Sequence, residues 1–170
     1  MAFAVIIITP VSTVGIALAI SLAGIGSGAA GMGVVATTVV LLINSVKVNK
    51  KGTSIAIFLG AMKGMMPSVF AKPVTILSFM LTAAISAIPI SLLSVQGTPT
   101  SAGFGWIGLV SPIQSMAVDA ADKVYQTNLI GLIPMIIVWF IIPIIAGFIV
   151  DFLFVKVFKL YKPSDFEQEI

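Results

Sequence analysis

Two stretches without a single charge, Met1 to Val46 and Val124 to Val150, decide what this chain can fold into. Each has room for at least one apolar helix of roughly 20 residues, the length that crosses a hydrocarbon core about 30 Å thick. A third stretch, Pro73 to Val118, also lacks both lysine and acid. Only 9% of the residues are charged, against about a quarter in a soluble domain. The chain therefore reads as an all-α integral membrane protein with no soluble domain and no room for a nucleotide-binding one. Its partner is the lipid bilayer, and its slight basic excess is a topology signal, since lysines gather on the cytoplasmic side. Nucleic acid is not an expected partner.

Composition closes further classes. There is no cysteine and no histidine, and every basic residue is lysine. That removes disulfides, thiolate metal sites, the commonest general base and the bidentate anion clamp. Of six acids, Asp165, Glu167 and Glu169 fall in a polar tail. No catalytic residue, metal or cofactor is expected. No basic stretch precedes the first apolar run, so it does not read as a secretory signal. A start of Met-Ala-Phe-Ala-Val inside a hydrophobic span suggests the carboxy-terminal part of a longer protein.

The pattern predicts about four transmembrane helices, an amphipathic interfacial helix and a re-entrant hairpin within a single membrane domain, 1–162. The spans are placed at about 2–22, 30–46, 74–95 and 128–157. Pro10 interrupts the first, because proline removes a backbone donor and kinks a helix. Gly24 with Gly28, and Ser27 with Gly31, have the spacing that lets helices approach closely. Residues 53–72 form the amphipathic helix, with Ile55, Phe58, Leu59, Met62, Met65, Met66 and Val69 on one apolar face. Lys63, on its small-residue face, reads as a lysine snorkelling to head groups. Residues 96–115 form the hairpin: Gly97, Gly103, Gly105 and Gly108 with Pro99 make a poor straight helix. Non-helical backbone at membrane depth must be sheltered by protein or line a wet cavity. Asn44 reads as interfacial. So does Asp151, whose nearest lysine in sequence, Lys156, is not at a facing helical spacing. Asp119, Asp122 and Lys123 read as a solvated loop. With Lys47, Lys50, Lys51 and Lys156, Lys159, Lys162 all in the cytoplasm, both termini and the tail 163–170 are cytoplasmic.

Several motifs together resemble the sugar-translocating EIIC component of the bacterial phosphotransferase system, in its PfoR-like branch of toxin regulators. They are Pro10-Val11-Ser12-Thr13-Val14-Gly15 with its glycine-rich sequel, Gly60-Ala61-Met62-Lys63-Gly64, and Gly97-Thr98-Pro99-Thr100-Ser101-Ala102-Gly103-Phe104-Gly105. The resemblance covers nearly the whole chain and matches the carboxy-terminal part of longer proteins. It implies a homodimer in the bacterial inner membrane, a sugar held between spans and hairpins, and cytoplasmic phosphotransfer subunits as partners. Where sugar-transporting relatives carry glutamate in a Gly-Ile-Thr-Glu-type hairpin motif, Gly97 to Thr100 places threonine. Threonine is a weaker, neutral acceptor for sugar hydroxyls.

The function expected is a transporter component for a small polar solute, working by alternating access at a mid-membrane site. A membrane-embedded regulator or sensor without transport is the alternative. Candidate solute-binding residues are Ser12 and Thr13 at the first break, and Thr98, Thr100 and Ser101 in the hairpin. Gly97, Gly103 and Gly105 permit close backbone approach, and Ser111 and Gln114 are further candidates.

Overall fold

Residues 25–48 supply what a buried helix needs: small residues in the first half, then an uninterrupted apolar run. They form α3 (Ile25–Val48), the central helix, buried along most of its length. The structure, a computed structural model, describes residues 1–116 and 132–168. The start of the last span at Asn128, the loop with Asp119, Asp122 and Lys123, and Glu169 lie outside the described residues.

Around α3 are α1 (Ala2–Ile6), α2 (Thr13–Ala19), α4 (Lys51–Leu59), α5 (Met66–Ala71), α6 (Thr75–Leu92), α7 (Val110–Met116), α8 (Leu132–Ile136) and α9 (Ile142–Phe152). A π turn, Ile137–Ile141, joins α8 to α9, and a second, Leu153–Val157, extends α9. Among the described residues no strand forms, and three helices are long and apolar enough to cross a membrane: Ile25–Val48, Thr75–Leu92 and Ile133–Val157. The chain is thus an all-α membrane protein.

Contacts set the directions. Gly28 of α3 lies against the Val95 carbonyl just past α6, so α6 is antiparallel to α3. Gly31 meets Trp139, and Asn44 meets Asp151, so the last helix runs parallel to α3.

The expected first span, 2–22, is instead two short helices. Pro10 lacks a donor, and the residue before a proline disfavours helix. The Ser12 side chain then accepts from Gly15 N at 3.0 Å and caps a new helix. The stretch 53–72 is not one amphipathic helix either. Gly60 adopts φ 123°, a conformation open to glycine but not to residues with a Cβ, and separates α4 from a 3-10 turn, Ala61–Met65. The chain turns back there. Ser54 bonds Ser45, Met62 reaches Thr38 deeper in the bundle, and Ser68 returns to the starting end beside Gln168. The expected apolar face splits accordingly: Met62, Met65 and Val69 are buried, while Ile55, Phe58 and Leu59 face outward.

The polar tail is folded rather than loose over its described part. Tyr161 and Phe166 insert into the main core, and Asn49 grips the strap twice, donating to Phe166 O at 2.8 Å and accepting from Gln168 N at 2.7 Å. Lys72 and Asp165 pair at 3.5 Å at this end. Burial raises the pKa of the Tyr161 phenol above its ordinary 10.0. Below pH 10 the phenol is neutral whether folded or not; above it only the unfolded chain ionises. Folding stability should therefore fall as pH rises past 10.0, by at most about 1.4 kcal/mol per pH unit. Unfolding of the wild type and Tyr161→Phe across that range checks it; equal slopes for the two proteins would refute it.

Candidate functional site

The hairpin begins beside the start of α3. Gly24 and Gly97 exchange both backbone hydrogen bonds, at 2.9 and 3.0 Å, in an isolated antiparallel bridge. From there the chain runs along α3 until Gly105 (φ 56°) packs on Val34. Ten residues of helix separate Gly24 from Val34, about 15 Å. The chain then turns back through Gly108 (φ 59°) into α7. Ser111 packs on Gly31, and Ser115 lies beside Trp139.

Backbone groups in such a segment need partners, and the hydroxyls supply them. Ser27 Oγ donates to Thr98 O at 2.5 Å, and Ser101 Oγ to the same carbonyl at 3.0 Å. Thr98 N donates to Ser101 Oγ at 2.9 Å. Ser111 Oγ donates to Ser101 O at 2.6 Å, and Thr13 Oγ1 to Gly103 O at 2.9 Å. Two indoles fasten the hairpin to the last helix. Pro143 cannot donate to the carbonyl four residues back, which leaves Trp139 O free of that bond. Trp106 Nε1 donates to it at 2.8 Å, while Trp139 Nε1 donates to Ser115 Oγ at 2.9 Å.

The ten expected site residues therefore divide. Gly97, Thr98, Thr100, Ser101 and Ser111 come together in the hairpin, and Thr13 joins them through Gly103. Thr13, Ser101 and Ser111 are buried, with hydroxyls engaged on backbone. Gly103 abuts the α2 backbone so closely that an added Cβ would lie 2.5 Å from Val14 N. Gly105 is buried against Val34. Hydroxyls at the surface belong to Ser12 and Thr100; Thr98, half-buried, shares a 2.8 Å hydrogen bond with Thr100. Gln114 is half-buried on α7.

Sequence reasoning missed three participants. Ser27 was legible only as a packing residue. Lys63, expected to snorkel, donates its Nζ to the exposed Val11 O at 3.0 Å and so bridges the first hairpin, α4 to α5, to the broken amino-terminal segment. Gly60, at the turn of that hairpin, faces Ile107 at the turn of the other, and the Phe58 and Trp106 rings sit 5.6 Å apart.

Asp151 departs from expectation: it is not hydrated but buried, as is Asn44. Asp151 accepts from Asn44 Nδ2 at 2.7 Å, Lys47 Nζ at 2.5 Å and Tyr161 Oη at 3.2 Å. Its cation comes from α3, 104 positions away, beyond the reach of any local spacing argument.

Among the described residues, three crossing-length helices with two short-helix hairpins packed beside them define an all-α membrane protein built partly from broken segments. The chain belongs to the phosphotransferase system EIIC family, whose model matches residues 1–168. It is a membrane transporter component of that system, in which domains of this family are the translocation parts. No match was found among curated proteins or among solved structures.

Proposed function

We propose that this protein carries a small polar solute, a sugar, across the bacterial inner membrane as a homodimer of the PfoR-like branch, supplied with phosphate by cytoplasmic phosphotransfer subunits. The lysine-rich end, where the carboxy-terminal tail packs on Asn49, is the cytoplasmic one; Ala4 packs beside Gly33 and Thr37, midway along α3, so the expected cytoplasmic amino terminus does not follow from this fold. The observation that carries the reading is the meeting of the two hairpin turns, Gly60 against Ile107, about halfway along the central helix. Beside it the first segment is broken at Pro10, so three interrupted stretches converge at one depth.

The solute contacts fall to the hydroxyls with spare capacity: Ser12, Thr98 and Thr100, each able to donate and accept. Lys63 has N–H groups left beyond its bond to Val11 O. Gln114 stands in reserve. Gly97, Gly103 and Gly105 keep the backbone close, and Thr13, Ser101 and Ser111 hold the hairpin in shape. Alternating access then moves one rigid group of helices against another.

Uptake of labelled sugars into sealed vesicles, with and without phosphotransfer proteins, tests this. Thr100→Ala should weaken apparent solute affinity about threefold to tenfold, the worth of one neutral hydrogen bond, with unfolding unchanged. Ser101→Ala should do the reverse first: it takes the acceptor from the half-buried Thr98 N, costing about 1 kcal/mol of stability. Solute binding without uptake under any condition would convert the reading to a sensor.

A further inference from the structure

Two apolar grooves lie side by side where α3 meets α4 and α9. One, about 400 Å³, has walls of Leu42, Val46, Ile55 and Phe58, with Lys51 at its lining. The other, about 440 Å³, shares Leu42, Val46 and Phe58, adds Ile144 and Phe148 as its far wall, and includes Lys47. Trp106 and Phe140, stacked with ring centroids 5.2 Å apart, line it as well. Neither contains any of the hydroxyls assigned to the solute.

Three features identify an occupant. The walls are apolar and outward-facing; Val46, Ile55 and Phe148 are each more than half exposed. Along α3 the lining runs from Val39 to Asn49, ten residues or about 15 Å, which is one leaflet of a core about 30 Å thick. Both grooves carry a lysine at the same end, and among the described residues no acid lines either. Lys47 already serves Asp151, yet its side chain keeps 40% of its exposure and two further N–H donors. A second copy docked here about a two-fold axis would bring the lysine mouths toward one another, and the one nearby carboxylate among the described residues, Asp151, is already taken by Lys47.

We propose that the pair of grooves binds one anionic diacyl phospholipid from the lysine-side leaflet. Its two chains lie on either side of the Leu42, Val46 and Phe58 ridge, and its phosphate sits on Lys51 and Lys47. Because the walls come from α3, α4, α9 and the hairpin residue Trp106, the bound lipid fastens the first hairpin to the last helix at their outer flank.

The purified full chain in detergent, titrated with phosphatidylglycerol or phosphatidylcholine and read by native mass spectrometry, tests this. Phosphatidylglycerol should be retained preferentially, and Lys51→Gln should weaken its retention about fivefold, the worth of one lysine at an anionic membrane surface. Phosphatidylcholine retention should be unaffected by that change. Lys159→Gln, an exposed lysine at the same end but outside both grooves, should leave both lipids unchanged. Inorganic phosphate should not displace the lipid, because the chains hold it. Equal retention of the two lipids, or the same loss from Lys159→Gln as from Lys51→Gln, would overturn the site. So would efficient disulfide cross-linking between copies through Val46→Cys, clean in a chain with no other cysteine, because a second copy would then fill the grooves.

Discussion

Lys47→Met should destabilise this protein by about 3 kcal/mol, more than any change to the acid it pairs with. The asymmetry follows from exposure. The Asp151 side chain is 6% exposed and the Lys47 side chain 40%. Removing the lysine strands a carboxylate in the bundle with only two neutral donors, Asn44 and Tyr161. Removing the acid strands a lysine that can turn to water. Asp151→Asn should therefore cost about 1 kcal/mol, the order of a single lost hydrogen bond. The double variant decides the matter. Lys47→Met with Asp151→Asn carries no buried charge and keeps an oxygen for Asn44 and Tyr161, so it should return to within about 1 kcal/mol of the wild type. Unfolding in detergent of all four proteins gives the coupling, near the upper end of what neighbouring groups show, about 3 kcal/mol. If Lys47→Met unfolds with the wild type, Asp151 is hydrated and the clasp at this end of the bundle contributes nothing.

That clasp also shows where the sequence stops being informative. The charge-free stretches declare the membrane, because no other solvent accommodates them. Pro10 declares a break, and the glycines of 97–108 declare a non-helical segment, since both act through the local backbone. Asp151 is different: its partner is fixed only when α3 and α9 are packed side by side. The stretch 53–72 failed for a related reason. In water an apolar face points inward, so periodicity reports burial. In lipid an apolar face is equally at home pointing out, and Ile55, Phe58 and Leu59 do so while Met62, Met65 and Val69 do not. Only the left-handed turn at Gly60 explains the switch, and a lone glycine in a helical pattern is too common to announce one. The hydroxyls were legible as a polar cluster in an apolar setting. Whether each faces a solute or satisfies its neighbours' backbone is a property of the folded hairpin, and Ser101, Ser111 and Thr13 do the latter.

Gly103→Ala should abolish solute uptake while Gly64→Ala leaves it intact, though both add one methyl group to a glycine in a broken segment. At Gly103 the new Cβ would sit 2.5 Å from Val14 N and 2.8 Å from Thr13 C. Those are backbone atoms at the start of α2, which cannot swing aside as a side chain would. Relief requires the hairpin to part from α2, and parting breaks the 2.9 Å bond from Thr13 Oγ1 to Gly103 O. Overpacking of this kind costs about 1–3 kcal/mol, and losing the buried hydrogen bond adds about 1. The strain falls where the first break and the hairpin are joined, so Ser12 and Thr100, the hydroxyls proposed to face the solute, lose their fixed spacing even if the protein still folds. At Gly64 no atom beyond the local backbone and the adjoining residues lies within 4 Å of the added carbon. The methyl there should be neutral, or stabilising by about 0.4–1 kcal/mol through a less flexible unfolded chain. Uptake and unfolding measured on the same preparations separate the effects. A folded Gly103→Ala protein with wild-type uptake would show that α2 and the hairpin work apart, and that the joined hydroxyl surface is not where the solute passes.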